Sequence, residues 1–319
     1  HILIDHLKII ILSPIIITRV KNILLYSTIC IFFFFSCTYN NGNDSLDIKI
    51  KKMLESQKGT FAVAFKNLDD GSKILINENE EFHAASTMKT PVMIEVFKKH
   101  LNGEVSLDDS ILVKNEFKSI VDGSVFKLSD FDDSDKNIYK MIGKYISLKE
   151  LVYDMITISS NFATNLVIDY IGATSINNSM REIGADKINV LRGVGDLKAF
   201  DLGLNNTITA KDLLIIYENL ANGKIINKNI SDEMVNILKN QKYSDIIPKY
   251  LPKNLEIAHK DGWISGVRHD SGIIFLDNEK KYILILLSKN LDDEVKGADL
   301  LAKVSLEIYN HIKWITLIN

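Results

Sequence analysis

The sequence predicts an α+β fold: an antiparallel five-stranded sheet flanked by N- and C-terminal helices, with an inserted all-helical lobe. Three observations predict it. An apolar strand hairpin stands near the start of the domain, a long region of helical spacing follows, and three strand patterns with a last amphipathic helix come at the end. Such strands pair into one sheet that the two end helices cover, while the insertion forms a second lobe.

The first helix and the hairpin are placed by residue type. Residues 46–57 carry apolar side chains at helical spacing, and Gly59 ends the helix. Residues 60–65 are an apolar run that favours a strand, residues 69–72 form an acidic turn with a glycine, and residues 73–77 return as the second strand.

The helical lobe covers about residues 86–245, where the pattern is mostly helical with acidic and glycine-rich loops. Strand patterns return at residues 256–259, 272–276 and 282–287, and residues 294–311 have the spacing of an amphipathic helix. We expect the active cleft between lobe and sheet, since motifs distant in sequence can converge there.

The N-terminal leader, residues 1–37, differs from the rest of the chain. Two apolar runs, residues 9–17 and 23–35, flank a short basic segment, and the second run ends just before Cys37. This is the layout of a signal peptide, with a 13-residue core that is short for a membrane span. The small residue before Cys37 is typical of a bacterial lipoprotein processing site. We predict lipidation of Cys37, with an uncleaved membrane anchor as the alternative.

The leader is followed by a polar tether at residues 38–45 and a folded domain at residues 46–314. Since the chain starts with His1, we interpret residues 1–19 as upstream translation, with Val20 reading an alternative start codon.

Composition limits the class of partner. The 319 residues include 46% hydrophobic and 25% charged residues, which is ordinary for a globular protein, and the net charge is −3. A mildly acidic chain without a clustered basic face argues against a nucleic-acid partner. Both cysteines, Cys30 and Cys37, lie in the leader, so the domain contains no disulfide and no thiolate metal site.

Three short motifs carry the candidate chemistry: a Ser-x-x-Lys at residues 86–89, a Ser-x-Asn at residues 159–161 and a Lys-x-Gly at residues 260–262. A Ser-x-x-Lys alone is a weak signal, because it occurs by chance in most long chains. The ordered set, spaced by 73 and then 101 residues, is far more specific. It indicates a serine nucleophile served by lysine amines in place of histidine.

Ser86 is predicted to open a helix over residues 86–100, which puts Lys89 on the same helical face. A neutral lysine amine can take the serine proton if burial and the nearby charge of Lys260 lower its pKa. The free backbone N–H groups at the helix start point towards a developing oxyanion. Alone, the pair would be an N-cap serine and a solvated lysine; the other two motifs favour catalysis.

The surroundings of the motifs resemble class A β-lactamase-type serine hydrolases and penicillin-binding proteins. The similarity covers nearly all of residues 46–312, and it is carried by residues 82–89, 158–165, 203–207, 258–263 and 268–272. It implies the β-lactamase/transpeptidase-like arrangement of the predicted fold.

The resemblance implies three catalytic roles. Ser86 would be the acylated nucleophile, Lys89 its proton acceptor, and Ser159 the relay that returns the proton to the leaving nitrogen. As a plainer alternative, Ser159 and Asn161 could form a helix cap.

The resemblance also implies substrate contacts. Asn161 would hydrogen-bond a side-chain amide, and Lys260 would attract a carboxylate. Gly262 and Trp263 follow on the same strand, and the backbone N–H groups of Trp263 and Ser86 would form the oxyanion hole. As an ordinary alternative, Lys260 is a strand charge without a role.

The loop after the Ser-x-Asn helix departs from the family pattern, which places a deacylating glutamate there. Residues 191–201 contain no glutamate, and Gly195 stands where one is expected. Asp196 is the nearest carboxylate and Asp201 the second. We predict that Asp196 orients the water at lower efficiency, because a general base needs reach first; an acid that is solvated or caps a turn is the alternative.

A second departure is Asp261, at the position where the family has a hydroxyl residue. An anion there would repel a substrate carboxylate, or pair with Lys260 and weaken its attraction. Penicillin-like specificity is therefore in question, whereas acylation is not.

Other signals do not point to a cofactor or a metal ion, and we expect neither. The acidic residues 130–135 lack the glycine of a calcium loop, so we expect a solvated loop. His83, His259 and His269 adjoin motifs without metal-ligand spacing and are expected to be hydrogen-bonded structural residues.

We therefore predict a serine hydrolase of the class A β-lactamase type, exported to the periplasm or held at the membrane only through its N-terminal lipid or leader. It would be a monomer that acts on a small-molecule β-lactam or a cell-wall peptide-like substrate. Two alternatives stay open: a D-alanyl-D-alanine peptidase or esterase with the same acylation machinery, and a penicillin-binding sensor that acylates without efficient turnover.

Overall fold

The computed structural model describes residues 45–318. The leader with Cys37, and the tether up to residue 44, lie outside the described residues. The helices of the described part are α1 (Leu46–Leu54), α2 (Lys89–Leu101), α3 (Leu148–Thr157), α4 (Asn161–Ile171), α5 (Ala173–Glu182), α6 (Leu197–Asp201), α7 (Ala210–Ala221), α8 (Lys228–Leu238) and α9 (Glu294–Ile318). The strands are β1 (Thr60–Asn67), β2 (Lys73–Ile76), β3 (Phe82–His83), β4 (Ser110–Leu112), β5 (Phe117–Lys118), β6 (Val125–Phe126), β7 (Tyr145–Ser147), β8 (Thr207–Ile208), β9 (Ile257–Ile264), β10 (Val267–Phe275) and β11 (Lys281–Lys289).

Five of these strands form the main sheet, in the order β2-β1-β11-β10-β9, and all neighbours are antiparallel. The central strand β11 is apolar on both faces. Ile283 and Ile285 pack towards the helical lobe, whereas Leu284 and Leu286 pack towards the end helices. Alternate side chains of a strand point to opposite faces, so covering both faces requires a continuous apolar run. The predicted five-stranded antiparallel sheet is confirmed.

The end helices α1 and α9 cover one face of the sheet, as predicted. Ile50 of α1 and Leu301 and Val304 of α9 are fully buried in the same apolar cluster. Lys49 donates to Glu307 at 2.7 Å between the two helices. No helix within residues 45–318 is both long enough and apolar enough to cross a membrane.

The strands β9 and β10 are longer than predicted. The polar residues around Lys260 interrupt the apolar pattern, yet β9 continues to Ile264 because it pairs with β10, with Lys260 opposite Ser271 and Gly262 opposite His269. The strand therefore carries the Lys-x-Gly motif within its hydrogen-bonded ladder.

The inserted lobe is mainly helical around the buried helix α4. It is not purely helical, because β4 pairs with β7 and β5 pairs with β6, while β3 and β8 pair at its junction with the sheet. These strands have two or three residues each, which is too short to show a strand period in the sequence.

The helix predicted over residues 86–100 is divided into a 3₁₀ turn, Ala85–Met88, and the α-helix α2. Pro91 is the third residue of α2, in the first turn of the helix, where proline is tolerated. Residues three apart eclipse one another in a 3₁₀ turn, so Ser86 and Lys89 share a face as expected.

Candidate active site

A cavity of about 980 Å³ opens between the sheet and the helical lobe. Ser86, Ser159, Asn161 and Trp263 all line it, together with Asp261. Residues from all three sequence motifs therefore meet in the predicted cleft.

Ser86 lies on a tight and strained turn. The residue before it, Ala85, has φ +45°, a left-handed conformation that L-residues with a side chain rarely adopt. The Ala85 backbone N–H donates to Nδ1 of His83 at 3.0 Å, which helps to hold the turn. The serine is thus presented to the cavity by a fixed backbone.

Strand β9 packs directly behind this turn. A Cβ added to Gly262 would lie 3.2 Å from the backbone nitrogens of both Ser86 and Thr87, closer than most real Cβ contacts. Glycine therefore permits a close approach of β9 to the turn that carries Ser86. This approach brings the backbone around Trp263 next to Ser86.

Lys89 is fully buried, and its Nζ donates to three oxygens: the Ser159 carbonyl at 2.9 Å, Ser159 Oγ at 3.1 Å and Asn161 Oδ1 at 3.0 Å. Burial holds the pKa of Lys89 well below its ordinary value, and the positive charge of Lys260 lowers it further, against the opposing charges of Asp133 and Asp261. A lowered pKa favours the neutral amine, which is the form that a proton acceptor needs.

The Ser-x-Asn motif presents its side chains at the start of α4. Ser160 caps this helix, because its Oγ accepts the Ala163 N–H at 3.1 Å. Ser159, with φ +58°, and Asn161 are thereby free of the capping role and contact Lys89 instead. The cap is the middle residue of the motif.

Asp133 corrects the expectation of a solvated acidic loop. It is buried and accepts the backbone N–H groups of Asn161 at 3.0 Å and Phe162 at 2.8 Å. Asp135 is buried as well. A carboxylate at the N-terminus of α4 satisfies free donors and interacts favourably with the helix dipole.

Lys260 is fully buried and paired with its neighbour. Its Nζ donates to Asp261 Oδ1 at 2.6 Å and to the Asp261 carbonyl at 3.1 Å. Burial alone would raise the pKa of Asp261, but the charge and hydrogen bond of Lys260 outweigh it and lower the pKa. Asp261, and not Lys260, lines the cavity.

The two ends of the loop that lacks the glutamate are joined by hydrogen bonds of one side-chain amide, that of Asn206. Asn206 Oδ1 accepts the N–H groups of Leu191 at 2.8 Å and Arg192 at 3.2 Å, and its Nδ2 donates to the Arg192 carbonyl at 2.9 Å. These bonds hold residues 191 and 192, at the start of the loop, next to residue 206, at its end.

Within this loop, Arg192, Gly193 and Val194 line the cavity. Asn165 of α4 holds Val194 with two bonds: the Val194 N–H donates to Asn165 Oδ1 at 2.6 Å, and Asn165 Nδ2 donates to the Val194 carbonyl at 2.8 Å. Gly195, where we looked for the base, is not among the lining residues; a Cβ there would lie 2.4 Å from Leu128. The loop residues that line the cavity therefore precede Gly195 in the chain.

The structure places Asp196 outside the cavity, so it does not bring this carboxylate together with Ser86. Asp196 is buried and accepts the Ser119 hydroxyl at 2.9 Å, the Ile120 N–H at 2.9 Å and the Ala199 N–H at 3.2 Å. It is the N-cap of α6, whereas Asp201 is exposed at the end of that helix.

The three histidines have structural hydrogen bonds, as expected. His259 Nδ1 bonds to Asp270 Oδ1 at 2.9 Å. His269 bonds through Nε2 to the His83 carbonyl at 2.9 Å, and its Nδ1 accepts the Ser288 N–H at 3.1 Å. Burial lowers the pKa of His269 to about 4, so the ring is neutral.

Among the described residues, no group of three or more His, Cys, Asp or Glu side chains is arranged to hold a metal ion. Sequence reasoning missed Asn165 and Arg192, which shape the loop side of the cavity. Asn165 was within reach of such reasoning, because it follows Asn161 by four residues on one helix and so lies on the same face.

Comparisons with known proteins show the family and the fold. A model of the β-lactamase enzyme family matches residues 45–312. The chain is 26% identical to β-lactamase BRO-1 of Moraxella catarrhalis over 282 residues, which is 84% of this chain and 86% of that protein. It is 23% identical to β-lactamase VEB-1 of Pseudomonas aeruginosa over 312 residues, 91% of this chain and 95% of that protein.

Among solved structures, PBP-A has a TM-score of 0.73 with 26% identity, covering 85% of this chain and 97% of that one. A point mutant of PBP-A, solved as an acyl-enzyme complex with penicillin G, gives the same TM-score and identity over 84% of this chain and 96% of its own. Because the family model spans almost the whole described domain, the chain belongs to the β-lactamase enzyme family and is a serine hydrolase of the β-lactamase type.

Proposed function

We propose that the protein forms an acyl-enzyme on Ser86 and hydrolyses it slowly, in the manner of a penicillin-binding protein. The observation that carries this proposal is the buried Lys89 amine, bonded to Ser159 and Asn161 beside the nucleophile turn. The β-lactamases and PBP-A to which the chain is similar support the substrate class, a β-lactam or a related acyl donor.

In the acylation step, the neutral amine of Lys89 takes the proton of the Ser86 hydroxyl while Ser86 Oγ forms a bond to the substrate carbonyl carbon. The backbone N–H groups of Ser86 and Trp263 stabilise the oxyanion that forms. The C–N bond then breaks, and the lysine proton passes through Ser159 to the leaving nitrogen. The lysine is neutral again, and the acyl group remains on Ser86.

Deacylation needs a water that loses a proton as it attacks the ester. The residues of the 191–201 loop that line the cavity are Arg192, Gly193 and Val194, and none of them carries a carboxylate that could act as the base. We infer that Asp196 caps α6 and does not act as this base, since its carboxylate already accepts three hydrogen bonds away from the cavity. A long-lived acyl-enzyme is the expected result.

A chromogenic cephalosporin and an activated thioester test the proposal. Product release should show a burst of about one equivalent followed by a slow phase, with a mass adduct that a peptide map assigns to Ser86. Ser86→Ala should give neither burst nor adduct. Sustained rapid turnover contradicts the slow hydrolysis, and an adduct that survives Ser86→Ala contradicts the whole assignment.

We also propose that the chain is exported and attached to the membrane by a lipid on Cys37, on the basis of its signal-peptide layout. Metabolic labelling with a fatty acid should mark the protein, and Cys37→Ala should abolish the label. Labelling that persists in Cys37→Ala contradicts lipidation at this residue.

A further inference from the structure

The end of the cavity beside β9 has an unusual charge arrangement. Lys260 has no exposed side-chain surface, and two oxygens of Asp261 accept its hydrogens. The Asp261 side chain keeps 23% of its surface exposed and lines the cavity. An incoming substrate therefore meets the carboxylate first, and the ammonium behind it is already neutralised.

The remaining walls do not supply an anion site to replace Lys260. Besides Asp261, four acidic residues line the cavity, against two arginines. Arg268 is paired with Asp245 at 3.2 Å, and Arg192 donates to backbone carbonyls of its own loop at 3.0 Å. Acidic walls of low dielectric concentrate cations and repel anions.

We propose that Asp261 determines substrate specificity. It selects acyl donors that carry an amide or an amine, with an N–H group and no negative charge, at the position where a carboxylate would otherwise approach Lys260. The inference rests on the proposed acylation of Ser86. The Asp261 Oδ2 atom, which Lys260 does not bind, accepts a hydrogen bond from the N–H of an amide or a protonated amine, whereas a substrate carboxylate at this position faces a like charge.

Three matched thioester substrates test the proposal, differing in the terminal group alone: a carboxylate, a primary amide and an aminoethyl amide. The second-order rate constant for adduct formation on Ser86 is measured by mass spectrometry. In the wild-type protein we expect the amide and the amine to react at least tenfold faster than the carboxylate. Asp261→Asn and Asp261→Thr should each reduce this ratio at least tenfold.

Asp132→Asn is the matched control, because it removes one exposed negative charge from the lobe side of the same cavity without touching Lys260. It should leave the ratio within about twofold of wild type. Equal rates for the three wild-type substrates, or an equal change in Asp132→Asn and Asp261→Asn, overturn the specificity role while acylation stands. An absence of any Ser86 adduct overturns the proposed function itself.

Discussion

His269 allows a quantitative prediction of stability against pH. Its ring is fully buried below the nucleophile turn, with Nε2 donating to the His83 carbonyl and Nδ1 accepting from Ser288. Burial lowers its pKa from 6.5 to about 4. The difference between 6.5 and about 4 corresponds to between about 3 and 4 kcal/mol of unfolding free energy in total, at about 1.4 kcal/mol per pKa unit.

The sign follows from which state binds the proton. Between about pH 6.5 and pH 4 the unfolded chain protonates this histidine and the folded protein does not, so acidification favours unfolding. The contribution is fully present above pH 6.5 and is lost as the pH falls to about 4. Below that pH both states carry the proton.

Urea unfolding of wild type and His269→Gln at several pH values measures the effect. Glutamine does not titrate, so the wild-type advantage in unfolding free energy should shrink by about 3 kcal/mol from pH 7 to pH 4. His83→Gln is the matched control. Burial and the charge of Arg192 also lower the pKa of His83, but this side chain is only half-buried. The difference in unfolding free energy between wild type and His83→Gln should therefore shrink less over the same pH range. A difference between wild type and His269→Gln that is constant over this range would refute the reasoning.

Two further predictions concern the cavity. Asn165→Ala removes both bonds to the Val194 backbone, so the unfolding free energy should fall by about 2 kcal/mol and the Val194 amide should exchange faster with solvent; an unchanged exchange rate contradicts this. Asp261→Asn removes a charge that raises the pKa of Lys89, so the acid limb of the acylation rate should move to lower pH, and a move to higher pH contradicts the assigned environment.

The sheet and its covering helices could be predicted from the sequence because their patterns are local. A continuous apolar run such as β1 shows directly that both faces are covered, and α9 shows a helical period. The extension of β9 through Lys260 and Gly262 could not be predicted in this way, since it depends on pairing with β10. The short strands of the lobe likewise depend on their partners.

The site residues also divide into those that local motifs predicted and those that depend on long-range contacts. The motifs predicted which residues meet, because Ser86, Lys89 and Ser159 carry chemistry that their spacing singles out. The sequence did not predict that Val194 lines the cavity and Gly195 does not, because Asn165, 29 residues earlier in the chain, holds the Val194 backbone. The spacing of residues within the loop does not reveal a contact with a residue so far away in the sequence.

The lifetime of the acyl-enzyme in Val194→Glu tests the central claim most directly. A carboxylate at this cavity-lining position supplies the base that the loop lacks, whereas Val194→Gln supplies similar size without basicity. The Ser86 adduct, followed by mass spectrometry after a single addition of acyl donor, should decay at least tenfold faster in Val194→Glu than in wild type or Val194→Gln. Equal lifetimes in all three proteins, or rapid loss of the wild-type adduct, would contradict the account.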